Sequence, residues 1–183
     1  SDASAIYAKY GFLNKIPLGT YIIGSGENQK IEGRNIVTDY EFDGSVDENE
    51  RIKQNFDLIR LTHEYTTNTK TKTDNQDRIK GLMGLLGYDI SSASQDLTSA
   101  PANLRQVGSI LHSLPVLITQ QGKMVAELDE SKRVIINTTG RKDYVLFGST
   151  QGLLHVVDAD SGVEKFAFLP KEMAEKQYEL FKF

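Results

Sequence analysis

The sequence predicts a mainly β protein with two or three short helices, α+β by content. Three apolar runs near the C-terminus predict short strands, at Tyr144 to Phe147, Leu153 to Val157 and Val163 to Leu169. Two polar stretches separate these runs, and their glycines supply the positive φ that tight hairpin turns need. Clusters of aromatic and β-branched residues between positions 7 and 67 predict further strands.

Residues 1–70 are expected to form a β-rich N-terminal segment. Its strands are predicted at Gly19 to Ile23, Asn35 to Phe42 and Asn55 to Tyr65. The third of these also has a helical spacing, at Ile52, Phe56 and Ile59. We favour a strand there because apolar and polar residues alternate, with one face formed by Ile59, Leu61, His63 and Tyr65.

Residues 71–106 are expected to hold a helix and a linker. Thr73 or Asp74 is suited to accept hydrogen bonds from the first free amides of the helix, and Gly87 supplies a left-handed stop. Apolar residues recur at helical spacing on one face, at Ile79, Leu82, Met83 and Leu86. We expect that face to pack against a sheet.

Residues 107–183 are expected to hold a leading strand, the three-strand unit and a C-terminal helix. The leading strand spans Val107 to Ile118, and Pro115 places it at a sheet edge or a bulge. A turn is predicted at Gln120 to Gly122, followed by a hairpin. The C-terminal helix is predicted to begin after Pro170, since proline is favoured in the first helical turn.

Two motifs carry a family resemblance. The segment Gly108 to Pro115 reads G-x-I-x-H-S-x-P, and Gly152 to Asp158 reads G-x-L-H-x-x-D before a turn that ends at Gly162. The second motif resembles a blade of quinoprotein-type β-propellers. The two motifs in this order resemble the PilC/PilY family of type IV pilus tip-associated proteins, although Leu114 replaces the family's usual second serine. The resemblance covers roughly residues 75–175.

The resemblance implies a partial quinoprotein-like propeller, namely the first blade and the segment before it, within a larger protein. It implies a non-enzymatic adhesin that supports pilus assembly, regulates retraction and contributes to twitching motility. Implied partners are minor pilins at the pilus tip and a host surface receptor. The implied location is outside the cytoplasm, at the cell surface, pilus tip or outer membrane. The residues we expect to matter are architectural: Gly108, His112, Pro115, Gly152, His155, Asp158 and Gly162.

No cofactor is expected in this chain. The resemblance implies a calcium loop of the Asp-x-Asp-x-Asp-Gly type farther into the propeller, and these 183 residues contain no such loop. Asp158 and Asp160 lie in a stretch that is too short for calcium coordination, so they predict a β-turn with Gly162 at positive φ. The absence of cysteine excludes disulfides and thiolate chemistry.

The three histidines, His63, His112 and His155, are the obvious catalytic candidates, and each has a structural explanation as a strand residue. His112 and Ser113 are adjacent on a predicted strand and point to opposite faces, so they do not form a catalytic pair. A quinoprotein dehydrogenase is the enzymatic alternative, and an envelope scaffold propeller is a second alternative. Such dehydrogenases carry tryptophan at the blade ends, whereas this chain has none and places Phe166 or Phe168 there.

The charge pattern and hydropathy restrict the partners. A net charge of −4 with mixed signs along the chain does not favour nucleic acid. No apolar run approaches the roughly 20 residues of a membrane span. An unpartnered blade exposes strand edges, so a strand-exchanged homodimer is one expected form of the chain.

Overall fold

The computed structural model of the chain describes residues 12–39, 58–63, 66, 76–90, 97–110, 113–138 and 140–177. Within these ranges the protein is mainly β, with ten strands and two α-helices. The strands form one six-stranded sheet and two separate two-stranded sheets, and none of these closes on itself. The predicted mainly β class is confirmed, while the propeller stays a hypothesis.

Four of the strands lie in the N-terminal part. They are β1 (Thr20–Ile23), β2 (Lys30–Gly33), β3 (Ile36–Thr38) and β4 (Ile59–Arg60). β1 and β2 pair antiparallel around a 3₁₀ turn at Gly26–Asn28. β1 confirms the first predicted strand. β3 confirms the described part of the second, whose predicted end at Phe42 lies outside the described residues.

The other six strands lie in the C-terminal half. They are β5 (Val116–Gln121), β6 (Val125–Leu128), β7 (Val134–Asn137), β8 (Lys142–Gly148), β9 (Leu154–Asp158) and β10 (Glu164–Leu169). The six-stranded sheet has the order β4-β3-β10-β9-β8-β5. Its pairs are antiparallel except β3 with β10, which is parallel. The three strands predicted in the C-terminal unit are confirmed as β8, β9 and β10.

The helices cover one face of this sheet. They are α1 (Gln76–Leu85) and α2 (Lys171–Glu175), and neither is long and apolar enough to cross a membrane. The predicted apolar face of α1 is at most 3% exposed and packs in one core with Ile36, Ala167 and Leu169. Gly87 has φ 92° and follows the helix, which confirms the predicted stop.

The predicted strand from Asn55 to Tyr65 is wrong at its described end. Among the described residues of this stretch, only Ile59–Arg60 forms a strand, and His63 is already helical. The amide of Thr66 donates to the carbonyl of Thr62 at 3.0 Å, and the Thr66 hydroxyl donates to the same carbonyl. These local hydrogen bonds close a helical turn. They determine the backbone conformation there, and the alternation of apolar and polar residues that predicted a strand does not.

The turn predicted at Gln120 to Gly122 begins later than expected. β5 continues through Gln121, and its pairing with β8 shifts between Thr119 and Gln121 in a bulge. The bulge places Gln121 opposite Lys142, so the polar residues still belong to the strand. Gly122, with φ 79°, is where the chain leaves the sheet.

Replacing Leu82 by alanine tests the core beneath α1. Leu82 is 1% exposed, and its truncation leaves a cavity that should lower the free energy of unfolding by about 2–5 kcal/mol. Urea unfolding followed by circular dichroism measures the change. The control is Leu114→Ala, because Leu114 is 89% exposed and its loss should change stability by less than about 0.5 kcal/mol. Equal effects of the two substitutions would contradict the packing described above.

Candidate functional site

The structure describes six of the seven residues that the sequence selects as architectural. Those six are Gly108, Pro115, Gly152, His155, Asp158 and Gly162. His112 lies outside the described residues. The predicted leading strand from Val107 to Ile118 is wrong in its described first part, because the strand begins only at Val116. Pro115 is exposed and directly precedes this edge strand, where its missing amide hydrogen removes no ladder bond. Gly152 lies beneath Met173 of α2, and a Cβ atom there would come within 2.9 Å of that side chain.

Gly108 lies against the turn that joins β8 to β9. A Cβ atom at this position would come within 2.7 Å of both the backbone nitrogen of Gln151 and the hydroxyl oxygen of Thr150. The amide of Thr150 also donates to the carbonyl of Ser109 at 3.0 Å. Glycine therefore permits a close approach between the leading segment (residues 107–115) and the sheet.

Asp158 and Gly162 form the turn between β9 and β10. The Asp158 carboxylate accepts hydrogen bonds from the amide and hydroxyl of Ser161, both at 2.7 Å, and these bonds hold the pKa of Asp158 below its ordinary value. Gly162 has φ 68°. The predicted β-turn is confirmed, and the described residues include no group of three or more His, Asp or Glu placed to hold a metal ion.

Arg34 and Glu164 form a buried ion pair that the sequence analysis did not identify. Arg34 follows β2, Glu164 begins β10, and both side chains are 1% exposed. Nε of Arg34 lies 3.0 Å from Oε1 of Glu164, and Nη2 lies 3.4 Å from Oε2. Nη1 donates to the carbonyl of Leu85 at the end of α1. The pair therefore joins the N-terminal part, the sheet and the helix.

His155 extends this ion pair into a chain of hydrogen bonds. Its Nδ1 lies 2.7 Å from Oε2 of Glu164, and its Nε2 lies 2.9 Å from Oγ of Ser149. A carboxylate only accepts, so Nδ1 donates to Glu164, and Nε2 shares a hydrogen bond with the Ser149 hydroxyl, which can both donate and accept. Phe147 stacks on the imidazole with ring centroids 4.9 Å apart. The ring is thereby packed as well as hydrogen-bonded.

The connectivity of Ser149, His155 and Glu164 is that of a Ser–His–acid triad. In this protein, however, the His155 side chain is 0% exposed, both of its ring nitrogens are bonded, and Glu164 is shared with Arg34. The geometry favours a structural role in which the chain ties the β8–β9 turn to β9 and β10. Of these residues only His155 was selected from the sequence, because no local pattern marks Arg34 or Glu164 as buried or places Ser149 beside His155.

The surroundings of Glu164 shift its pKa. Burial acts to raise the pKa of this carboxyl group, because the charged form loses hydration. The hydrogen bond from His155 and the positive charge of Arg34 outweigh burial, so the pKa of Glu164 lies below its ordinary value. The folded protein therefore favours ionised Glu164.

One face of the sheet is covered by α1 at β3 and β10, although Leu117 of the edge strand β5 on that side is 57% exposed, and the other face is open. Residues that pair across strands point to the same side, so the registers assign each residue to a face. Ile36 and Ala167 pair on the covered face, which packs against α1. The open face is defined by nine apolar residues in cross-strand rows: Val37, Val116, Ile118, Tyr144, Leu146, Leu154, Val156, Phe166 and Phe168.

The open face is apolar but incompletely shielded from water. None of its nine side chains belongs to the buried core cluster of the described residues. Val116 is 55% exposed, Ile118 43%, Leu154 39% and Phe166 37%. Contiguous exposed apolar surface of this kind marks a site where another element or protein packs. The open face is therefore the candidate interaction surface.

Comparisons of the chain with protein families, with characterised proteins and with solved structures find no match.

Replacing Gly108 by alanine tests the approach of the leading segment to the sheet. The new methyl group would clash with the Gln151 backbone, and overpacking of this kind should lower the free energy of unfolding by about 1–3 kcal/mol. Gly148→Ala is a matched control, because the nearest atom to its added Cβ would be Oγ of Ser113 at 3.5 Å, an ordinary contact. Chemical denaturation of both variants checks the prediction, and similar stabilities would contradict it.

The Glu164 network should make the protein less stable in acid. Because the pKa of Glu164 is lower in the folded than in the unfolded protein, its stabilising contribution is present above the unfolded pKa of about 4.3. That contribution is lost as the pH falls through the folded pKa. Urea unfolding between about pH 6 and pH 3 should therefore show a steeper loss of stability for the wild type than for Glu164→Gln.

The control for this pH series is Glu32→Gln, which removes an exposed carboxylate from β2 and should keep the wild-type pH dependence. Glu164→Gln should also be less stable than the wild type at pH 7, by about 3–5 kcal/mol, because it leaves the buried Arg34 unpaired. Parallel pH curves for the wild type and Glu164→Gln would show that the network does not couple to protonation.

Proposed function

We propose that this chain is a segment of a PilC/PilY-like protein, a non-enzymatic adhesin associated with the tip of type IV pili. In this proposal it takes part in pilus assembly and in the regulation of retraction. The motif from Gly108 to Pro115 and the blade-like motif from Gly152 to Gly162 are the sequence features that support it. The close approach of Gly108 to the β8–β9 turn is consistent with a packed junction between the two motifs.

The strand order supports a propeller blade. β5, β8, β9 and β10 lie side by side in the sheet in the order in which they occur along the chain, and each adjacent pair is antiparallel. The blades of a propeller are four-stranded sheets arranged around a channel. In this proposal these four strands are the first blade, and the β6–β7 hairpin is an insertion between its first and second strands.

The observation that carries the proposal is the open face. A blade in a propeller packs its sheet against a neighbouring blade, so a single blade considered alone exposes an apolar sheet face. The open face matches this expectation, because its four exposed residues are apolar and lie on strands β5, β9 and β10. We propose that a second blade of the same protein covers it.

The proposed mechanism is recognition by shape and surface chemistry. The buried network of Arg34, Glu164 and His155 keeps the sheet rigid, and the protein presents its outer surface to partners. The proposed partners are minor pilins at the pilus tip and a host surface receptor. The proposed location is the pilus tip or the outer membrane, after export of the protein.

Deletion of the gene in the bacterium that encodes this chain tests the function. We expect the deletion to remove surface pili and twitching motility, because the proposed protein is needed for pilus assembly. We also expect the wild-type protein to co-purify with pili sheared from the cell surface. Electron microscopy of cells, a subsurface motility assay and immunoblotting of the pilus fraction provide the measurements.

Complementation with the wild-type gene is the control and should restore both pili and motility. Normal piliation and motility in the deletion strain, with the protein retained in the periplasm, would reject the proposal. The quinoprotein dehydrogenase and the envelope scaffold would then be the hypotheses to test, the first by measuring quinone-dependent oxidation of alcohols.

A further inference from the structure

The β6–β7 hairpin forms a sheet of its own beside the six-stranded sheet. Its register pairs Ala126 with Ile136 and Leu128 with Val134 on one side. We call these four residues the apolar hairpin face, since none of them carries a polar side chain. The opposite side is mixed and contains Val125, Glu127, Ile135 and Asn137.

The apolar hairpin face is strongly exposed. Val134 is 69% exposed, Leu128 66% and Ile136 58%, and no strand of the hairpin has a buried residue. On the mixed side, Nδ2 of Asn137 donates to Glu127 at 3.2 Å. The hairpin is thus amphipathic, with its apolar side directed away from this polar contact.

The turn of the hairpin is well ordered by its own hydrogen bonds. The Asp129 carboxylate accepts from the amides of Ser131 and Arg133 at 2.8 and 2.9 Å, and from Nε of Arg133 at 3.0 Å. A two-stranded hairpin by itself is nevertheless marginally stable in water. A persistent hairpin with an exposed apolar side therefore gains stability when another surface covers that side.

The charges favour a second copy of the chain as this cover. Residues 123–138 hold three basic side chains and three acidic ones, so the hairpin is neutral, whereas the whole chain has a net charge of −4. When two copies associate through their hairpins, the two segments that meet carry no net charge and therefore do not repel each other. A two-fold dimer joins the same patch of both copies, so an uncharged face places no like charges opposite each other.

We propose that two copies of this chain associate by packing their apolar hairpin faces against each other. Sheets that pack face to face lie about 10 Å apart with their side chains interdigitated. Four apolar residues per copy form a surface smaller than the roughly 800 Å² per partner of a standard interface. The dimer is consequently weak and forms only at high protein concentration. This proposal does not depend on the propeller, because the hairpin pairs with no strand of the six-stranded sheet.

Sedimentation velocity of the 183-residue chain between about 5 and 500 μM tests the proposal. The wild type should change from monomer to dimer across this range. Ile136→Lys should stay monomeric, because it places a charge in the centre of the apolar hairpin face. Ile135→Lys is the matched control, since Ile135 is the adjacent residue on the mixed side and is 44% exposed. It should dimerise like the wild type.

Cross-linking provides a second test that keeps the hairpin apolar. The chain has no cysteine, so a single Ile136→Cys or Ile135→Cys substitution gives one defined thiol per copy. A short bismaleimide should couple two copies through Cys at 136 much more efficiently than through Cys at 135. Equal thermal midpoints for all variants would show that the fold is intact.

Three outcomes would overturn the proposal. They are a wild type that stays monomeric at the highest concentration, a dimer that persists in Ile136→Lys, and equal cross-linking at the two positions. None of these outcomes bears on piliation or motility, so the proposed function and this association succeed or fail separately.

Discussion

Arg34 and Glu164 form an ion pair inside the protein, and much of the fold is arranged around it. Both side chains are almost completely removed from water, which is unfavourable unless every charge is matched by a partner with good geometry. The pairing is bidentate, the third guanidinium nitrogen donates to Leu85, and His155 donates to the carboxylate. The hydrogen bonds thus reach the end of α1, the strand β10 and the middle strand β9.

This ion pair constrains the register between distant parts of the chain. β3 runs parallel to β10 with Ile36 opposite Ala167. Arg34 precedes the first of these residues by two positions and Glu164 precedes the second by three, so the two charges arrive at the same end of the paired strands. A slip of one residue would move the side chains of β3 to the other face and separate the charges. The buried pair therefore disfavours alternative pairings of the short strand β3.

The two faces of the sheet have different roles because of the same arrangement. Helix α1 covers the side that carries Ile36 and Ala167, and the polar network lies on that side with His155 and Glu164. The opposite side carries apolar residues on five strands, and none of them belongs to the core cluster beneath α1, although Val156 is only 9% exposed. One side of the sheet is thus packed within the protein's own core, and the other side is suited to association. The hairpin β6–β7 adds a separate apolar surface that belongs to neither face.

Sequence patterns alone determined the mainly β class, the three C-terminal strands, the apolar side of α1 and the turn at Asp158, because each depends on residues close together in the chain. The tertiary structure decided the partner of Arg34, which lies 130 positions away in the sequence, the burial of Glu164, and the hydrogen bond between Ser149 and His155. It also replaced the predicted strand at His63 by a helical turn. Pairing between distant strands depends on the packing of the whole core, and burial of a charge depends on which partners that packing brings within reach.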